Sequence, residues 1–97
     1  MAMWVLDQPS INSSVTSVVS SNTNVVLLAH NSARKQAFFY NDSTAVLYIK
    51  LGVTASSTSY TMQLAAGGSW SLPYNYTGEI DGIWASANGN CRITELS

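Results

Sequence analysis

The sequence predicts an all-β fold, a single β-sandwich, jelly-roll-like or immunoglobulin-like, of about seven or eight short antiparallel strands. Apolar and polar residues alternate with period two through nearly every apolar segment, as half-buried strands require. Clusters of Asn, Asp, Ser, Gly and Pro interrupt the alternation roughly every 8 to 12 residues, a spacing typical of sandwiches and barrels rather than of βαβ units. No window of about twelve residues combines helical spacing with helix caps.

Taken in order, Val15, Ser17 and Val19 alternate with Thr16, Val18 and Ser20 in a first strand, and the turn Ser21-Asn22-Thr23 leads to a second over Val25–Ala29. A loop at His30-Asn31-Ser32 precedes a strand from Arg34 to Tyr40, and Asn41-Asp42-Ser43 provides side chains that bond their own backbone in turns. With the strand Ala45–Leu51, the stretch FFYNDSTAVLYIKLG reads as a hairpin. A Ser/Thr/Ala loop follows Gly52, and Tyr60, Met62 and Leu64 then share a face. Gly67-Gly68 marks a tight reversal before Trp70 and Leu72, and Pro73 to Gly78 forms a corner. Between Glu79 and Ala85, Ile80 and Trp84 share a face, and a bulge at Gly82 would turn Ile83 inward as well. Asn88-Gly89-Asn90 is a turn of the kind that joins paired strands, and Cys91–Leu96 is the last strand.

Composition agrees with this reading. At 97 residues the chain fits one domain, and a domain this size buries roughly 65% of its unfolded surface, so the core is thin and oligomerisation would be useful. Charged residues are 9% of the chain, against about 25% in an average soluble domain. Ser, Thr and Asn carry the polarity instead, which suits strands and turns. Residues 1–12 lack the alternation and hold Trp4, Val5 and Leu6 beside Pro9, which reads as an extended N-terminal arm ahead of a β-sandwich domain over 13–97. The opening MAMWVLDQPS has no basic region and only a short apolar run, so it reads as neither signal peptide nor membrane span, and synthesis in the cytosol is expected.

The residues point away from catalysis. The single histidine, His30, falls in a loop, and Gly67-Gly68-Ser69-Trp70-Ser71 does not form a nucleophile elbow. One His and one Cys cannot supply a soft-metal site, and Cys91, within an alternating run, reads as a small buried hydrophobe. Glu79 and Asp81 project from one strand face and read as an acidic patch that keeps that face wet. The N-x-S/T sequons at Asn12, Asn41 and Asn75 read as chance matches. The cations Arg34, Lys35, Lys50 and Arg92 are too few and too scattered for a nucleic-acid footprint. No catalytic residue, metal ligand or cofactor is expected.

What remains is a surplus of aromatics on the predicted hairpin. Phe39, Leu47, Ile49 and Leu51 form its core face, leaving Phe38, Tyr40, Val46 and Tyr48 on an outer face rimmed by Arg34, Gln36 and Lys50. Such a patch has the composition of an interface with another protein chain. Trp4, Val5 and Leu6 of the arm are further anchor candidates.

The run FFYNDSTAVLYIKLG, with SSTSYTMQLAAGGSWSLPYNYTGEIDGIWASANGNCRITEL after it, resembles small β-rich virion proteins of tailed bacteriophages. The resemblance covers residues 14 to 96 and rests on turn and core positions rather than on a site. It implies a non-enzymatic capsid cement or decoration protein, or a related head or tail component, whose partner is the major capsid protein. It implies a protein made in the host bacterial cytoplasm and carried on the capsid surface of the virion, where small modules sit on two-fold or three-fold axes, so a homo-oligomer, dimer or trimer, is expected. The scattered cations and the missing span leave no nucleic-acid or membrane partner expected. The alternative is a carbohydrate- or receptor-binding β-module of a tail or tail fibre, with Trp70, Tyr74, Tyr76 and Trp84 stacking on sugar rings.

Overall fold

The computed structural model of the chain describes residues 9–73 and 75–97. These form eight strands and no helix: β1 (Ser13–Val19), β2 (Val25–Leu28), β3 (Gln36–Asp42), β4 (Leu47–Leu51), β5 (Met62–Leu64), β6 (Ser69–Ser71), β7 (Ile80–Trp84) and β8 (Asn90–Leu96). They make two four-stranded antiparallel sheets, β1-β8-β3-β6 and β2-β7-β4-β5. Strand 1 thus pairs with 8, 2 with 7, 3 with 6 and 4 with 5, as when one long hairpin is rolled into a sandwich. Of the two sandwich types the sequence leaves open, this order is the jelly roll.

The rolled topology corrects the predicted hairpins. β3 and β4 lie in different sheets and do not pair, and the same holds for β7 and β8. The four residues 43–46 between β3 and β4 can reach about 13 Å, enough to cross the roughly 10 Å between stacked sheets. Among consecutive strands only β4 and β5 are neighbours, across the longer loop 52–61. A polar turn between two alternating runs therefore carried the chain across the core rather than back along one sheet. At the β7–β8 crossing Gly89 has φ +75°, and a Cβ there would collide with the Asp42 carbonyl.

The core lies between the inner faces and contains Leu27, Ala37, Phe39, Leu47, Ile49, Leu64, Leu72, Ile80, Trp84, Cys91 and Ile93, all buried. Each large side chain among them contributes about 1.5–3 kcal/mol by leaving water. Ile83 is the exception to the expected pattern. β7 is regular at Gly82, so Ile83 stays on the outer side opposite Tyr48. The irregularity falls on β2 between Val26 and Leu28, where Leu27 packs over Gly82. A Cβ on Gly82 would lie 2.8 Å from Leu27 Cδ1, so the glycine makes room for the leucine.

Two buried polar residues join the sheets at opposite ends. At the end of β3, Asn41 is 0% exposed. Its Nδ2 donates to the carbonyls of Ala45 and Leu64 at 2.8 and 3.0 Å, and its Oδ1 accepts from Ser43 Oγ at 2.7 Å and from Trp84 Nε1 at 3.2 Å. Before the start of β3, Arg34 is 1% exposed. Its guanidinium donates to the carbonyls of Ala29, Tyr76 and Gly78 at 2.7 to 3.0 Å and to Glu95 Oε2 at 2.7 Å. Both residues satisfy carbonyls that the strand ends would otherwise bury unpaired.

Candidate interaction surface

Alternation along β3 points Ala37, Phe39 and Asn41 into the core and Phe38 and Tyr40 outward. Antiparallel register extends the outward set across the sheet: Val15, Thr94, Phe38 and Ser71 form one row, and Ser17, Arg92, Tyr40 and Ser69 the next. Phe38 is 46% exposed, Tyr40 42% and Val15 73%. Val15, Phe38, Tyr40, Ser69, Arg92 and Thr94 line a shallow open depression of about 320 Å³. Its floor is firm, because Phe39 beneath packs against Trp70 with ring centroids 5.8 Å apart. Beside Tyr40, Arg92 Nε donates to Asp42 Oδ2 at 2.8 Å, a solvent-exposed ion pair at the margin of the apolar strip. This is an aromatic centre among small polar residues and one neutralised charge pair, a composition suited to protein contact.

The chain matches none of the protein-family models, curated proteins or solved structures with which it was compared.

The predicted interface residues do not stay together. Phe38 and Tyr40 lie on the outer face of the β1-β8-β3-β6 sheet, whereas Tyr48 and Lys50 lie on the outer face of the other sheet. One predicted patch becomes two faces on opposite sides of the sandwich, because β3 and β4 are separated by the core. Val46, half-buried, precedes β4, and its carbonyl accepts from Ala85 N–H at 3.0 Å. Arg34 is no rim residue, since its four hydrogen-bond acceptors hold it inside the fold. Trp4, Val5 and Leu6 fall outside the described residues.

On the opposite face Val26 and Tyr60 also stay exposed, but a loop lies over part of it. Tyr48 packs against Tyr60 with centroids 5.0 Å apart, and Lys50 Nζ donates to Thr54 O at 3.3 Å and Ser59 Oγ at 2.7 Å, tying down the loop after β4. Asn24 clamps the same loop, accepting from Ala55 N–H at 2.8 Å while its Nδ2 donates to Asp81 Oδ2 at 3.0 Å. Asp81 is therefore 1% exposed rather than part of a wet acidic patch, and its Oδ1 has no hydrogen-bond partner among the described residues. Glu79 is pushed above its ordinary carboxyl value, first because its protonated form can donate a hydrogen bond to the neighbouring Asp81 carboxyl, then by desolvation and by the Asp81 charge. Lys50 stands opposite Asp81 in the β4–β7 register, yet its ammonium is spent on the loop.

Among the described residues no three His, Cys, Asp or Glu side chains converge as metal ligands. Cys91 is fully buried, as its alternating run predicts, and burial pushes its thiol up to about 12 against a smaller opposing effect of a backbone hydrogen bond at Tyr40. Among the described residues no helix is long and apolar enough to cross a membrane. Of the aromatics a sugar-binding module would use, Trp84 is buried, Trp70 is stacked on Phe39, and the Tyr76 hydroxyl donates to Glu79 O at 3.0 Å. Tyr74 falls outside the described residues. Sequence reasoning missed Asn41 as an inter-sheet tie. Its position in an Asn-Asp-Ser cluster is what a turn residue shows, and no local signal separates the two.

Proposed function

We propose that the protein is a non-enzymatic virion structural protein of the cement or decoration type, which binds the major capsid protein through the outer face of the β1-β8-β3-β6 sheet. The observation that carries this reading is the strip of Val15, Phe38 and Tyr40, exposed together on one sheet face above the packed Phe39–Trp70 pair. The resemblance over residues 14 to 96 supplies the virion context. The jelly roll is an architecture that viral capsid domains use, which supports the reading by analogy of fold. A lattice built of many copies gains stability by mass action when each copy buries such a strip at a seam.

Binding to shells assembled from the major capsid protein tests the reading. Co-sedimentation of the wild-type chain is expected, and a Phe38→Ser, Tyr40→Ser double variant is expected to lose at least tenfold in affinity with its thermal midpoint little changed, because both side chains are exposed in the free protein. Undiminished binding by the double variant, or none by the wild type, would overturn it.

A further inference from the structure

We propose that the open edge of β1 is a homodimerisation site, at which a second copy adds its own β1 antiparallel across a two-fold axis to make one continuous eight-stranded sheet. Among the described residues the sandwich has four sheet edges, β1, β6, β2 and β5. Three are protected: β5 and β6 are three residues long, and β2 has four residues and an irregular register. Short or bulged edges resist pairing with another chain. β1 differs from all of them, with seven residues in unbroken register against β8, no proline and no charge.

The hydrogen bonds define what this edge offers. Asn12 and Ser97 exchange two backbone bonds, N–H to O at 3.2 and 3.0 Å, and Ser20 N–H donates to Gly89 O at 3.0 Å. In an antiparallel ladder such pairs alternate with non-bonded ones. Ser14, Thr16 and Val18 therefore turn their backbone groups to β8, while Ser13, Val15, Ser17 and Val19 turn theirs to the open side. A two-fold axis through Thr16 sets Val15 opposite Ser17 of the second copy and Ser13 opposite its Val19, so every open group on the strand meets a partner. Val15 and Val19, 73% and 71% exposed, would each lie beside a serine with room for a branched side chain.

Charge selects the occupant. Residues 8–33 contain no Lys, Arg, Asp or Glu, so two copies of this edge meet without like-charge repulsion and a charged strand would find no complement. Pairing also joins the outer faces, carrying the Phe38–Thr94–Val15 row of one copy onto Ser17, Arg92 and Tyr40 of the other. The proposal stands apart from capsid binding, since the purified chain alone suffices to test it.

The full chain measured by light scattering is expected to have twice its 10.4 kDa mass. Thr16, exposed on the axis, faces its own copy, so Thr16→Lys and Thr16→Glu are each expected to be monomeric, while an equimolar mixture recovers the dimer. Ser17→Pro, which removes an outward N–H without touching the β8 ladder, is expected to shift the equilibrium toward monomer at least tenfold and serves if either Thr16 variant fails to fold. A trimer, a dimer that all these variants leave intact, or a monomer at every concentration would overturn the proposal. Slow amide exchange at Ser13, Val15, Ser17 and Val19 in such a monomer would assign the edge to residues 1–8 of the same chain instead.

Discussion

Trp84 Nε1 donates to Asn41 Oδ1 at 3.2 Å, so the largest buried side chain of the β2-β7-β4-β5 sheet is tied to the end of β3 in the other sheet. Both residues are almost wholly buried, and Asn41 also holds the carbonyls of Ala45 and Leu64. Replacing Asn41 by Ala leaves the indole N–H and the Leu64 carbonyl without their Asn41 partner, while Ser43 Oγ still reaches the Ala45 carbonyl at 3.0 Å. At about 1–3 kcal/mol for each buried unsatisfied group, a loss of about 2–6 kcal/mol is expected in urea unfolding. Trp84→Phe removes one donor and indole volume while keeping an aromatic ring, and should cost less.

The two ion pairs should behave oppositely. Arg34→Ala leaves Glu95 and three carbonyls without their donor, and a loss of about 3–5 kcal/mol is expected for breaking a buried pair. Arg34→Lys should recover little of it, because an ammonium cannot reproduce the planar fork that reaches four acceptors. Arg92→Ala, whose pair with Asp42 is exposed, should change stability by less than about 1 kcal/mol. Equal losses at the two sites would contradict the placement of Arg34.

Glu79 predicts a pH dependence with a definite sign. Its folded-state carboxyl is raised above the ordinary value of 4.5, so folding takes up a proton there. The stabilisation linked to that proton is fully present below pH 4.5 and is lost as pH rises through the higher folded-state value. Glu79→Gln, which cannot ionise, should therefore melt above the wild type at pH 7, with the gap closing as pH falls below that of the unfolded carboxyl. A gap that stays constant across the range would remove the Glu79–Asp81 interaction as its cause.

Cys91 should be inert. With a fully buried thiol pushed up to about 12, negligible thiolate exists at neutral pH. A thiol reagent is expected to label the native protein at the unfolding-limited rate and the denatured protein at once. Rapid native labelling would mean that β8 opens locally.

Much of the fold was legible because period-two alternation is a local signal. Phe39, Leu47, Ile49 and Ile80 could be assigned to the core, and Phe38 and Tyr40 to the outside, before any strand was paired. Pairing itself was not legible. The polar residues after Tyr40 fit a hairpin turn and a sheet-to-sheet crossing equally well, and only the rolled topology separates Tyr48 from Tyr40. The same limit hid Asn41, Arg34 and Asp81, polar residues whose burial depends on partners 23 to 61 positions away. Of the aromatics that the alternation put on an outer face, Phe38 and Tyr40 are exposed, at 46% and 42%.

Cryo-electron microscopy of particles purified from the cells that make this chain tests the proposed role. The expected map contains many copies of the sandwich on the shell, each with Val15, Phe38 and Tyr40 buried against the major capsid protein. A shell without the protein, or one that carries it with that strip turned to solvent, would contradict the reading.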